Sequence, residues 1–358
     1  MTPRITGTAL VALLLLTAVF APVLAPNDAT RQFRDLSFAP PMPIRIVDAG
    51  GRLHAPFVYP LELTSRLERT YEADHSRRLP LRWLSDGRLV RVEGDRPLLL
   101  LGADSLGRDV LSRLILGARW SLGGALVAAL GALLVGALVG GVAGYAGGVV
   151  DELLMRSAEF VLVLPMIYVV LTLRALLPLV LPAGTVFVLL SGLLALVGWP
   201  WVARGVRTIV ATEATREYAS AARSLGSSHA RVLWRHLLPA TRGFLLVQAT
   251  LLVPAFVVAE ATLSFVGLGF PEPTPSWGAM LRESSNIRAL AEFPWLLAPA
   301  AAIVLVTLGT NLATQAVQAH GPTIRSRRMA GRDPDAAQLG GRGARGADAR
   351  DLLDRPAA

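Results

Sequence analysis

The sequence predicts an all-α polytopic membrane protein of about six spanning helices, with a small β-rich insertion outside the membrane. Three observations predict it. Hydrophobic residues make up 53% of the 358 and charged residues only 17%. The apolar residues gather in blocks near the roughly 20 residues that a helix needs to cross a hydrocarbon core of about 30 Å. Short arginine-rich segments border these blocks on one side, as the positive-inside rule expects of cytoplasmic segments.

The first block, residues 5–25, is preceded only by Arg4. Val23, Leu24 and Ala25 offer small residues before a signal-peptide cut, but Pro26 would follow that cut and disfavours it. Residues 1–25 therefore read as a retained first transmembrane helix. Residues 26–117 are polar, with fourteen arginines and twelve acids, and read as an extracytoplasmic insertion too long for its charge to set orientation. Two hairpins are expected in it. Residues 44–47 precede the turn Asp48-Ala49-Gly50-Gly51, and residues 81–84 precede Ser85-Asp86-Gly87.

The membrane-spanning core is placed at 118–319. Span two covers residues 119–143, where Ala132, Gly136, Gly140 and Gly144 recur every four residues and line one helical face. Small side chains there admit a second helix closely; the pattern does not say whether that helix lies in this chain. Span three (153–177) contains Pro165, span four (183–203) contains Pro200, span five (244–267) contains Pro254, and span six covers 295–316. If the basic loop 204–242 is cytoplasmic, both termini are cytoplasmic and the loops 26–117, 178–182 and 268–294 lie outside. Residues 320–358 read as a disordered cytoplasmic tail.

The chain has no cysteine, which removes disulfides, thiolate metal sites and cysteine nucleophiles. It has no lysine either: all 35 basic residues are arginine. A Walker A loop and a Schiff-base enzyme both need a lysine. The net charge of +9 is placed beside apolar spans: seven arginines face two glutamates between Ala203 and Arg242, and the tail after His320 has eight arginines to five aspartates. Membrane lipid accounts for that placement, and nucleic acid does not. The five histidines show no metal-ligand spacing, and no G-x-S-x-G pattern occurs. No catalytic residue, metal site or bound cofactor is expected.

The most informative stretch runs from Glu217 to Gly226 and on to Leu237-Leu238-Pro239. It predicts a helix over about 215–225, a stop at Gly226, a second helix opened by Ser227 or Ser228, and an end at Pro239. Ala221, Ala222 and Leu225 are expected to form a smooth outer patch for a cytoplasmic partner. Ser220, Ala221, Ala222, Gly226 and Pro239 fall on the spacing of the "EAA" loop, and the stretch resembles that loop in ABC importer permeases. Ser220 stands where the motif has glutamate, and Glu217 lies one turn earlier.

Three further segments resemble signatures of the dipeptide/oligopeptide (nickel) branch, closest to its C-type membrane subunit. They are Leu101–Arg113, with Asp104, Gly107, Arg108 and Asp109; Gly144–Arg156; and Ala259–Gly269 followed by Pro273–Gly278. The resemblance covers about residues 100–312 and implies a type I importer permease fold. The long outer loop resembles a branch with an extended first loop, whereas Thr314–Gln318 lacks the usual family ending. The resemblance also implies partners: a second, B-type permease subunit, two ATP-binding cassette subunits that use ATP and Mg, and an extracytoplasmic substrate-binding protein. It implies residence in a bacterial inner membrane. Peptides are the expected cargo, with nickel complexes, antimicrobial peptides and oligosaccharides as alternatives; an ATP-independent channel or an intramembrane enzyme is the remote alternative.

Three expectations concern single residues. Glu260, a carboxylate inside a span, is expected with Ser264 to face the subunit interface or the pathway, because such a group is costly in lipid; a structural hydrogen bond to a neighbouring helix, or a neutral protonated acid, is the alternative. Asp104 is expected to cap a short helix running through Arg113. Arg108 and Asp109 are expected to form a structural ion pair.

Overall fold

The computed structural model describes residues 3–66, 68–165, 168–169, 171–172, 181–285 and 287–320. The tail expected at 321–358 lies outside them, as does much of the second half of span three. Among the described residues, four helices are long and apolar enough to cross a membrane, over Val110–Ala146, Ala183–Ala214, His229–Val266 and Pro294–Gln315. A shorter apolar helix, α1 (Pro3–Val19), is followed directly by α2 (Ala21–Leu24). The first block is thus bent at Phe20 rather than straight. It belongs to the bundle: Gly7 packs on Leu312, and Leu14 and Ala18 pack on the core around Leu122 and Val306.

Among the described residues, six strands form the insertion. β1 (Arg45–Val47), β2 (Leu53–Val58), β5 (Leu79–Ser85) and β6 (Arg88–Val92) make an antiparallel sheet in the order β1-β2-β5-β6, while β3 (Leu61–Ser65) and β4 (Thr70–Ala73) pair as a separate hairpin. Both expected hairpins are present. In the second, Ser85 opposes Arg88 across Asp86 and Gly87, whose φ values are +51° and +73°. Two left-handed central residues are what a two-residue turn needs to match strand twist, and the Asp-Gly pair supplies them. A core of Val58, Leu81, Val92, Leu98 and Leu99 closes the unit.

α3 (Val110–Ala146) is 37 residues long, about 55 Å, so it projects beyond the hydrocarbon core. Against it lies α5 (Ala183–Ala214), and the two pack along their length. The small-residue face predicted for span two is the seam. A Cβ on Gly136 would lie 2.5 Å from Val202 Cβ, one on Gly144 would lie 2.5 Å from the Arg207 carbonyl oxygen, and one on Gly140 would strike the Ala203 backbone. Ala132 is fully buried on the same face. The partner helix is in this chain.

Span three differs from expectation. Its helix, α4 (Gly148–Val163), starts five residues earlier and stops before Pro165, whose ring lacks the N–H needed to continue the ladder. Beyond α5 come α6 (Glu217–Ser224), α7 (His229–Val232), α8 (Arg242–Val266), α9 (Trp277–Glu283), α10 (Ile287–Glu292) and α11 (Ala298–His320).

Valine at position 140 should overpack the seam at a cost of about 1–3 kcal/mol. Thermal unfolding of the purified subunit in detergent is the check. Gly184→Ala, which meets open space, should change stability by no more than about 0.5 kcal/mol.

Candidate functional site

Two regions gather the sequence-predicted residues, one at each end of the α3–α5 pair. At the start of α3, Arg108 is 1% exposed and has carboxylates on three sides. Its Nε donates to Asp104 Oδ2 at 2.6 Å, one terminal nitrogen to Glu272 Oε2 at 2.5 Å, and the other to Glu283 Oε1 at 3.0 Å. Arg113 lies beside it, with Nε 3.4 Å from Asp104 Oδ2 and a terminal nitrogen 3.7 Å from Glu272 Oε1. Two signatures that are far apart in sequence therefore meet: residues 101–113, and the segment joining α8 to α9.

The predicted roles of the two aspartates change. Asp109, not Asp104, caps α3: its carboxylate accepts from the Leu111 and Ser112 backbone N–H groups at 3.2 and 3.1 Å. It also accepts from Asn27 Nδ2 at 2.9 Å, and it makes no pair with Arg108. Asp104 instead folds its own loop, accepting from the backbone N–H of Leu106 and of Arg108, both at 2.9 Å. Gly107, with φ +74°, makes the turn between them. Asn27 is a residue the sequence reading missed. Its side-chain amide also donates to the Leu98 carbonyl at 2.8 Å and accepts from Leu98 N–H at 3.2 Å, joining the two ends of the insertion to the head of α3.

Burial pushes the Asp109 carboxyl up to about 6, against the pull of Ser112 and Asn27. Glu283 is likewise raised, by burial and then by the Asp104 charge.

Further along, Glu260 and Ser264 are 2% and 0% exposed. They are enclosed within this chain. Ser264 Oγ donates to Glu260 Oε1 at 2.6 Å, while Oε2 has no hydrogen bond among the described residues. Gly278 packs against Ala261 and Ser264. Trp277 N–H donates to Ser121 Oγ at 3.2 Å, and its indole N–H donates to the Leu114 carbonyl at 3.0 Å. α9 is thereby wedged between α3 and α8.

At the other end is the helical elbow. α6 begins at Glu217, whose negative charge suits a helix N-terminus. Gly226 has φ +78°, the left-handed turn that ends a helix, and Ser228 caps α7 by accepting from Arg231 N–H at 3.4 Å. Ala219 and Ala222 turn inward with Val232, Leu233 and Leu237 onto Val202, Val206 and Val210 of α5. The outer patch is therefore Ala221 and Leu225 without Ala222, a consequence of the helical period. Glu217 and Ser220 are exposed on the outer side, and Ser220 Oγ donates to the Glu217 carbonyl at 2.8 Å.

The second limb does not end at Pro239. A π-helical turn over Leu233–Leu237 and a 3-10 turn over Leu238–Thr241 carry it into α8. Pro239 cannot donate to the carbonyl four residues back, so the ladder changes pitch there instead of stopping. A contact that sequence spacing could not give is Tyr145 Oη to His229 Nδ1, at 2.7 Å. It joins the end of α3 to the elbow.

The model of the family described as binding-protein-dependent transport system inner membrane component matches residues 132–321, which include the α3–α5 seam and the elbow. The chain belongs to this family. It is 37% identical to the oligopeptide transport system permease protein OppC of Bacillus subtilis, over 59% of this chain and 67% of that one. It is 43% identical to the dipeptide transport system permease protein DppC of the same organism, over 51% and 55%. It is 32% identical to the di/tripeptide transport system permease protein DppC of Pseudomonas aeruginosa, over 84% of this chain and 81% of that one. In this inner membrane permease the elbow, Glu272 and Glu283 lie within the matched residues, whereas Asp104, Arg108 and Arg113 precede them. Among the described residues, no group of three or more His, Asp or Glu side chains is placed to hold a metal ion.

Two predictions concern this end of α3. Arg108→Ala would strip buried Asp104 of its closest counter-charge, a loss that typically costs about 3–5 kcal/mol. Arg108→Lys should rescue little, because one ammonium cannot replace a three-way fork; thermal unfolding of both variants checks this. The second concerns pH. The folded state binds the Asp109 proton more tightly than the unfolded chain, where aspartate ionises near about 3.9. Stability should therefore fall as pH rises from about 4 to about 6, and Asp109→Asn should flatten that dependence in unfolding curves taken across the range.

Proposed function

We propose that this chain is half of the membrane pathway of an ATP-driven peptide importer, and that its elbow is the handle for a separate ATPase subunit. One observation carries the reading. The elbow buries one face on α5 while offering the other: Leu225 is 86% exposed, beside exposed Tyr218 and Ala221. An apolar tip flanked by Arg216 and Arg223, on a turn braced by packed side chains, suits a docking surface that must transmit force and not merely bind. The names of the similar permeases support peptides as cargo.

In this reading the elbow lies on the cytoplasmic side, with both termini, and the insertion lies on the outer side facing a substrate-binding protein. A second permease subunit completes the pathway, and two ATPase subunits hydrolyse ATP with Mg. ATP binding closes the ATPases and displaces the two elbows. Leu233 and Leu237 pass that displacement to α5, and the seam at Gly136, Gly140 and Gly144 passes it to α3. Ser220 in place of the motif's glutamate leaves Glu217 as the acidic group on the outer face of α6.

Leu225→Arg tests this. An anchor at the centre of an interface is worth about 2 kcal/mol or more, roughly a thirty-fold change in affinity. Recovery of an ATPase subunit with the tagged chain should fall accordingly, and ATP-driven peptide uptake with it, while the chain stays in the membrane. Undiminished ATPase recovery would remove the elbow from the coupling role.

A further inference from the structure

The insertion carries an apolar surface that neither the clamp nor the elbow uses. In the antiparallel order β1-β2-β5-β6 neighbouring strands alternate in direction, so the turns joining β1 to β2 and β5 to β6 lie at the same end of the sheet. Five large apolar side chains are exposed there: Val47 at the end of β1, Leu53 at the start of β2, Trp83 and Leu84 near the end of β5, and Leu89 near the start of β6. Leu53 and Leu84 are each 78% exposed, and Trp83 58%. Val58, Leu81 and Val92, by contrast, enter the insertion's core. Leu84 also has φ +51°, a left-handed backbone that bulky residues rarely adopt, and burial inside the chain does not compensate it. A contiguous exposed apolar patch of this kind marks a contact with a protein or a membrane.

The position of this end says which of the two covers it. Arg88, the first residue of β6, donates from Nη1 to the Ala25 carbonyl at 3.1 Å, and β6 packs beside α2. α2 closes the first apolar block, whose helix α1 belongs to the membrane bundle. Val19, Phe20 and Val23 of that block are exposed as well. The apolar end of the sheet thus continues the lipid-facing surface of the first block, at the point where the chain leaves the bilayer for the insertion. Tryptophan suits that level because its ring is apolar and its N–H is polar. The carboxylates beside the patch do not oppose the contact. Asp48 pairs with Arg78 and His54, Asp86 with Arg91, and Glu93 with Arg82. Arg52, exposed in the first turn, has the sign that headgroup phosphates attract.

We infer that the turn-bearing end of this sheet rests in the boundary between lipid headgroups and acyl chains, and ties the insertion to the bilayer. Leu53, Trp83 and Leu84 enter the boundary, and the paired charges stay at headgroup level. The inference rests on the membrane placement of the first block and on neither the cargo nor the elbow.

The chain has no cysteine, so a single introduced cysteine can carry a fluorescent label without background. Leu53→Cys and Leu84→Cys place the label at the two turns, on side chains that the core does not use. Val19→Cys places it on the first block, and Arg77→Cys on an exposed residue just before β5, at the other end of that strand. The assembled transporter is reconstituted in neutral phosphatidylcholine vesicles without the binding protein. A phosphatidylcholine carrying a nitroxide near the head of its acyl chain should quench positions 53 and 84 several-fold more than position 77, approaching its effect at position 19. Aqueous iodide should quench them several-fold less than position 77. Lipid quenching at 53 and 84 no greater than at 77 would overturn the proposal. So would free access of iodide that is lost only when the binding protein is added, which would give the patch to a protein partner.

Discussion

A guanidinium taken out of water must find its counter-charges within the fold, and Arg108 finds them on three sides. Asp104 comes from its own loop, Glu272 from the segment after α8, and Glu283 from the end of α9. Burying such a group is expensive, and the geometry must be good to offset the cost. Arginine can do this because its five donors form a rigid fork that reaches several acceptors at once. The head of α3, the neck of the insertion and the α8–α9 segment are consequently held as one body. Trp295 adds to it, its indole N–H donating to the Ala103 carbonyl at 2.9 Å.

From that body a stiff path leads to the elbow. The α3–α5 seam allows no slack, since even a methyl group at Gly140 would meet the Ala203 backbone. Packed interfaces of this kind move as units and do not deform continuously. At the far end, Tyr145 meets His229, and Leu233 and Leu237 lock on α5. In the proposed coupling, a push on the elbow would reach α5 and α3 together. The pitch change around Pro239 lets the same stretch be both elbow and the first turn of a spanning helix.

The fold class was legible because lipid imposes a coarse rule: every spanning segment must be apolar and helical. The turn Asp86-Gly87 was legible because its residues tolerate the required left-handed backbone. Single side chains were harder to place. Asp104 and Asp109 are both acids ahead of a helix, and either could have capped it. The choice fell to Asp109 because Asn27 and Ser112 surround it, while Asp104 was claimed by Arg108. Ala222 looked like part of an outer patch until the packing of α6 on α5 turned it inward.

The sequence by itself determined the apolar, helical character of the spans, the small-residue face of α3, the stop at Gly226 and the likeness to importer permeases, because each is written in local composition or short spacing. Only the tertiary structure decided that α3's glycines receive α5, that Arg108 gathers Glu272 and Glu283, and that Glu260 is enclosed. Those facts depend on residues more than forty positions apart, and local spacing carries no term for which distant partners the packed chain brings together.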